Sequence, residues 1–331
     1  MRNAAGSLYG LAYGDALGKP TEFQDYATIV AAHGPGGPRQ LTGHPALVTD
    51  DTQMALAVGE AILAAPAFTA RALEPELRRA FAAWAASPDN NRAPGMTCLR
   101  ACAELAAGKP WQQATQAGSK GCGANMRVTP VGLVPGLSDD QRAGAAQLQA
   151  GLTHGHPTGL AASELTAYAV RWLADGLAPG DLLAALRERC DSQRKVYREE
   201  WLGDLWQRSG AGSAEEFIAV GWAETAAALD RVATALAAGD FEGDPCLATG
   251  EGWIAEEALA TALYCYLISP EEPVAVLGRG AASSGDSDSI ACLAGAFAGA
   301  ALGMEAWPAG WERQIEYADR LRRLADAWDR G

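Results

Sequence analysis

The chain has 331 residues, 49% of them hydrophobic, which is enough for a sizeable buried core and too apolar a composition for a disordered chain. Its 26 basic and 40 acidic side chains leave a formal charge of -14, setting the global field against a free nucleic-acid partner or an anionic membrane surface. Seven scattered cysteines without a CxxC pair fit a reducing compartment, and four dispersed histidines are too few for a typical zinc enzyme.

The N-terminal stretch MRNAAGSLYGLAYGDALGK is rich in small apolar residues, but Tyr13, Gly14 and Asp15 interrupt any signal-peptide core. Nowhere do roughly 18 uninterrupted apolar residues offer a membrane span. The expectation is a soluble, cytoplasmic protein with no membrane partner. Gly10, Gly14 and Gly18, four apart, allow close helix packing, and Asp15 is placed to cap or brace the first helix.

A Gly/Pro-bearing break at 33 to 45 leads to VTDDTQM at 48 to 54, where Asp50 and Asp51 sit between Thr49 and Thr52 at the mouth of an apolar helix. Adjacent like charges repel, and at such a mouth they also risk losing water, so the arrangement asks for a proton or a cation. Further along, GSKGCGANMRVTPVGL at 118 to 133 gathers Gly118, Gly121 and Gly123 around Ser119. Such a loop can present backbone N–H groups to an anion, although glycine-rich turns without ligands are common. GLTHGHPTG then carries His154 and His156, of which His156 reads as a loop residue.

Alanine, leucine, glutamate and arginine dominate the long segments, and period-two runs of Val, Ile and Thr are nearly absent. Helices are predicted at 53 to 64, 71 to 86, 96 to 107, 139 to 153, 158 to 175, 181 to 191 and 195 to 208. Ile218, Trp222, Leu229, Val232 and Leu236 lay an apolar stripe, with Thr225 on it, along a helix opened by a capping box of Ser213 and Glu216. In SPEE the same device is predicted, with Ser269 as cap, Pro270 at the first helical position and Glu272 closing the box. Helices at 253 to 268, 288 to 303 and 309 to 329 complete the chain. Trp172, Trp201, Trp206, Trp222, Trp307 and Trp311 read as packing residues. No break is long enough for a linker, so one compact all-α domain of many helices, spanning residues 1 to 331, is expected.

Near the C-terminus, SSGDSDSIACLAGAFAGAALG alternates Asp286 and Asp288 with small residues, adds Ser289 and again enters an apolar helix. The chain therefore has two acidic helix mouths. A helix N-terminus stabilises one carboxylate by roughly 0.3 to 1 kcal/mol; four converging carboxylates need more. An all-oxygen set of Asp, Thr and Ser suits Mg²⁺, Mn²⁺ or Ca²⁺ and lacks the imidazole or thiolate that selects zinc. Taken alone, each acidic turn reads more readily as a solvated N-cap, and spacing does not show that the two meet.

GDALGKPTE (14 to 22), TDDT and GDSDS, in that order on a helical chain of this size, resemble the ADP-ribosylglycohydrolase family over essentially the whole length. The resemblance implies a multi-helix orthogonal bundle and hydrolysis of the bond joining C1 of ADP-ribose to a protein side chain, ADP-ribosyl-arginine foremost. It implies two Mg²⁺ ions, with Mn²⁺ as a substitute, held by Thr49, Asp50, Asp51, Asp286, Asp288 and Ser289, the last in place of the more usual threonine. Glu22, Asp51 and Asp288 become the catalytic candidates, with Asp15 behind them. A family loop of the form GSxGNGxAMR and a TH motif place Ser119, Gly121, Cys122, Gly123 and His154 at the substrate, with Cys122 where asparagine is common and Lys120 where some members carry an aromatic residue. No base pairs with Cys122, so packing, not nucleophilic attack, is expected of it. The partner implied is an ADP-ribosylated protein or ADP-ribose conjugate, acted on by a monomer. Serine-linked ADP-ribose, O-acetyl-ADP-ribose, a crystallin-like non-catalytic role and a metal-dependent phosphohydrolase are the alternatives.

Overall fold

A computed structural model describes residues 2–329, and among these every regular element is a helix, with three isolated bridges as the only extended pairings. One cluster of buried apolar side chains runs from Ala4 to Trp328. Among the described residues no helix is long and apolar enough to cross a membrane.

The first helix, Asn3–Gly18, is buried at every position after Asn3. Its glycines explain how. A Cβ on Gly10 would lie 2.3 Å from the Gly295 carbonyl oxygen, and one on Gly14 would lie 2.0 Å from that of Ala291. The helix Ser287–Leu302 answers with Gly295 and Gly299, so the two backbones run antiparallel in direct contact. Gly6 meets Gly299 at one end, and Gly18 meets Ser287 and Asp288 at the other. The C-terminal end of the first helix is thereby fixed against the second acidic mouth.

The first acidic mouth is tied to the same end. Asp15, fully buried, accepts from the Thr49 N–H at 2.9 Å, the Thr52 N–H at 3.0 Å and the Thr52 hydroxyl. It therefore braces the helix Asp50–Ala64 across the interface and does not cap its own helix. Ser287 and Thr21 share a hydrogen bond of 3.0 Å that closes the third side of the junction.

Several sequence-based boundaries shift for local reasons. The segment predicted as one helix from 195 to 208 is broken into Glu199–Leu202 and the 3-10 turn Leu205–Ser209, with Gly203 at φ +56° between them. The C-terminal helix is likewise split into Trp311–Gln314 and Ala318–Asp329, because Ile315 is extended and bridges to Ala46. The SPEE box does not form: Ser269 ends the helix Ala255–Ile268, and the next helix starts at Pro273, the later of two prolines able to take the first helical position. Ser213 does cap, accepting from the Glu216 N–H at 3.1 Å, but the Glu216 carboxylate binds the Gly212 N–H. A complete capping box stands instead at Ser138 and Gln141. His156 is no bare loop residue, since its Nδ1 accepts from the Thr158 N–H at 3.2 Å and caps Pro157–Ala174. Tyr26–His33 is a helix the periodicity did not single out, capped by Asp25. The tryptophans named above are buried or packed against the core.

Candidate active site

Two helix N-termini and one turn converge on a cleft of about 330 Å³. Asp50 and Asp51 occupy the first turn of their helix behind the Thr49 cap; Asp286 stands at the N-cap position of the other helix without a side-chain capping bond, and Asp288 and Ser289 lie in its first turn. Glu22 arrives on the turn that follows the first helix, held by its N–H to the Gly18 carbonyl at 3.0 Å. Carboxylate oxygens of Glu22, Asp286 and Asp288 lie within 4.8 Å of one another. Glu22, Asp50, Asp51, Asp286, Asp288 and Ser289 all line the cleft. Thr49 is buried, and its hydroxyl stands 3.3 Å from Asp51 Oδ2 and within reach of Asp288, among the carboxylates.

The electrostatics of this cluster are unbalanced. Burial first, and the Asp288 charge second, push Glu22 and Asp50 each up to about 8 and Asp15 to about 7. Asp51 and Asp286 are held well above the carboxylate range by the same two causes, and Asp288 is raised by burial. Two helix dipoles and a few N–H donors do not neutralise five carboxylates and Glu22's neighbour Asp15 in a shared low-dielectric site. Asp51 Oδ1 is buried with no hydrogen-bond partner. An oxygen-only donor set with an orphaned carboxylate oxygen aimed among its own kind fits a hard divalent cation.

The glycine loop lines the same cleft, with Cys122 against Ser289 and the carboxylates. Gly121, Cys122 and Gly123 line the cleft together with His154. The loop is pinned by the Cys122 N–H to the Trp253 carbonyl at 3.0 Å and the Ala255 N–H to the Lys120 carbonyl at 2.8 Å. Lys120 turns away from the cleft onto Glu224 and Glu256, at 2.8 and 2.5 Å. Ser119 is not on the wall; its hydroxyl pairs with Thr97 Oγ1 at 3.1 Å. The Cys122 thiol is pushed far up by burial and by the charges of Asp286 and Asp51, which removes the thiolate that a nucleophile needs.

Sequence reasoning missed the mouth of the cleft. Phe23 and Trp253 stack there with ring centroids 5.6 Å apart and planes 16° from parallel. Both rings are exposed, and Phe23 sits at φ +65°, a conformation a bulky residue adopts only where its surroundings hold it. The signals were present in Phe23 directly following Glu22 and in Trp253 between turn glycines and an extended Ile254 that bridges to Gly121. Another cavity, of about 490 Å³, is lined by the 33 to 40 loop and contains none of the acidic groups.

The family model of ADP-ribosylglycohydrolases matches residues 1–330. The chain is 28% identical to ADP-ribosylhydrolase ARH3 of Bos taurus, covering 98% of this chain and 92% of that protein. It is 25% identical to the ADP-ribosyl-dinitrogen-reductase glycohydrolase of Rhodospirillum rubrum, covering 98% and 94%. A solved structure described as an ADP-ribosylglycohydrolase-related protein complex superposes with a TM-score of 0.68 at 24% identity, over 99% of this chain and 97% of the other, and so shares the fold. The chain belongs to the ADP-ribosylglycohydrolase family and is a glycohydrolase.

Proposed function

We propose that this protein hydrolyses the bond between C1 of ADP-ribose and an arginine side chain of a modified protein, with two Mg²⁺ ions. The observation that carries the reading is the convergence of Glu22 and both acidic helix mouths on a cleft that the Gly121–Gly123 loop also lines. Asp50, Asp51, Asp286 and Asp288 would hold the ions with the hydroxyls of Thr49 and Ser289. Bound Mg²⁺ supplies positive charge that orients the ribose hydroxyls and acidifies a water.

The protein's own groups divide the remaining work. The backbone N–H groups of Gly121 and Gly123 receive the diphosphate, as oriented amides do for anions. The oxocarbenium-like charge that builds on the ribose as its C1 bond breaks is stabilised by the surrounding carboxylates. The C1–N electron pair leaves with the guanidine as water's oxygen bonds to C1 on the opposite face, and water's proton passes to Glu22, which lines the cleft beside Asp286 and Asp288, and from there to the departing guanidine. Free arginine side chain and ADP-ribose are the products.

The arginine linkage is supported by the mouth of the cleft. Phe23 and Trp253 offer exposed ring faces beside Glu22, and a planar guanidinium stacks on such faces. The R. rubrum relative acts, by its name, on ADP-ribosylated dinitrogen reductase. The deciding experiment is a panel of arginine-, serine- and acetyl-ester-linked ADP-ribose assayed with Mg²⁺ and with EDTA. Release of ADP-ribose from the arginine conjugate, lost in EDTA, is expected; turnover confined to the serine or ester conjugate overturns the linkage, and undiminished turnover in EDTA overturns the metal.

A further inference from the structure

Arg127 is a fully buried cation with no carboxylate in contact. All of its donors are nevertheless used. Nε binds Gln149 Oε1 at 2.8 Å, one terminal nitrogen reaches the sulfurs of Met54 and Cys98 at 3.5 Å each, and the other binds the Gln149 carbonyl at 2.6 Å and Thr153 Oγ1 at 2.7 Å. Its guanidinium lies 4.4 Å from the centroid of the Phe81 ring. A charge buried at this cost of desolvation, with its donors met by neutral partners, also acts on the polar groups it touches.

One of these groups is Thr153. A guanidinium only donates, so Thr153 Oγ1 accepts from Arg127. The hydroxyl has one proton to give and three acceptors in view: the Ala150 carbonyl at 3.5 Å, His154 Nδ1 at 2.8 Å, and the Cys98 sulfur, a weak acceptor that Arg127 already meets. The first distance lies outside the range of an O–H···O bond and the second well inside an ordinary hydrogen bond. Arg127 also polarises the hydroxyl and strengthens it as a donor. With Nδ1 accepting, a neutral imidazole carries its proton on Nε2.

That nitrogen faces the ligand side. His154 lines the cleft, no protein partner for Nε2 occurs among the described residues, and a Cβ on Gly121 would stand 3.2 Å from it. We infer that Arg127 and Thr153 are positioning residues that fix His154 as the Nε2–H tautomer, a neutral donor aimed at an oxygen of the ligand cradled by the Gly121–Gly123 loop. Burial and the Arg127 charge both disfavour the imidazolium, in keeping with a neutral ring. Assigning that oxygen to ADP-ribose rests on the function proposed above; the tautomer does not.

The test uses the full chain labelled with ¹⁵N-histidine, with His154 assigned by its loss in His154→Gln. Long-range ¹H–¹⁵N spectra of the ligand-free protein are expected to show a protonated Nε2 and an unprotonated Nδ1 at about pH 6 to 8, in the wild type and in Thr153→Ser. Thr153→Val, which removes the hydroxyl, is expected to abolish that pattern and to weaken ADP-ribose binding about tenfold, with Thr153→Ser near the wild type. A wild-type ring protonated at Nδ1 overturns the inference, as does an unchanged pattern in Thr153→Val. If the valine variant does not fold, the wild-type spectrum still decides. The expected spectra with no ADP-ribose binding in any variant support the relay and instead remove the ligand reading.

Discussion

Gly18 and Asp288 meet backbone to backbone: a methyl group on Gly18 would stand 2.4 Å from the Asp288 Cα. That contact is the last of a ladder in which Gly6, Gly10, Gly14 and Gly18 press on the Ser287–Leu302 helix, and it sets the position of one acidic mouth relative to Glu22 and Asp15. A methyl at either end of the ladder forces the helices apart. Gly18→Ala and Gly6→Ala are each expected to destabilise by about 1 to 3 kcal/mol, as overpacking does. Only Gly18→Ala is expected to lower Mg²⁺ affinity and turnover, because Gly6 is opposite Gly299, about 18 Å along the helix. Urea unfolding alongside magnesium titration checks this, and equal functional loss in the two variants refutes the positional role.

This ladder also marks what the sequence could and could not convey. The four-residue spacing of Gly10, Gly14 and Gly18 was legible as a helix-packing face, and the TDDT and GDSDS turns were legible as acidic helix entrances, because each is a local pattern. The partner of the glycine face, and so the meeting of two entrances more than two hundred residues apart, is a tertiary fact that no spacing contains. Asp15 shows the same limit: read from its own helix it looks like a brace for that helix, and the donors its carboxylate accepts from, Thr49 and Thr52, lie across the interface. Phe23 and Trp253 were invisible as a pair for the same reason. The failed boundaries at 195 to 208 and 309 to 329 have another origin, backbone pairing and a positive-φ glycine that helical composition conceals.

The metal-free protein is expected to lose stability from its acidic cluster as pH rises. Glu22 and Asp50 titrate at about 8 and Asp15 at about 7 in the folded state, against 4.5 and 3.8 for the unperturbed groups. Between those values the native state binds more protons than the unfolded chain, so unfolding becomes easier with increasing pH. The contribution is fully present below about pH 4 and is lost through pH 7 to 8. Saturating Mg²⁺ should raise Tm strongly at about pH 8 and little at about pH 5, where protons compete for the same oxygens. Thermal melts in EDTA and in Mg²⁺ across this range check it; an equal Mg²⁺ increment at both pH values contradicts the prediction.

Removing one carboxylate separates stability from activity. Asp288 contributes repulsion to Glu22, Asp50, Asp51 and Asp15 alike. Asp288→Asn is therefore expected to melt higher than the wild type in EDTA at about pH 8, where the repulsion is greatest, while ADP-ribose release with Mg²⁺ falls by at least about a hundredfold. This inverse pattern is the signature of a site strained for function. Asp51→Ala should lose activity similarly. Retained turnover in either variant removes these residues from the metal centre.

The aromatic pair at the mouth gives a prediction about the leaving group. Phe23 and Trp253 are exposed, stacked and line the cleft together with Glu22, so on the function proposed above their faces are available to the group attached to C1 of the ribose. A guanidinium over such a face gains about 0.5 to 2 kcal/mol, which a serine hydroxyl does not. Trp253→Ala is therefore expected to raise KM for arginine-linked ADP-ribose about threefold to tenfold with kcat nearly unchanged, the pattern of lost uniform binding. For a serine-linked conjugate the same variant should leave KM within about twofold. Phe23→Ala should act in the same direction and also release the positive-φ constraint beside Glu22, adding a fall in kcat that Trp253→Ala lacks. Steady-state kinetics on the two conjugates resolve both effects, and an equal rise in KM for both linkages would show that the rings hold the ADP-ribose itself and not the side chain it leaves.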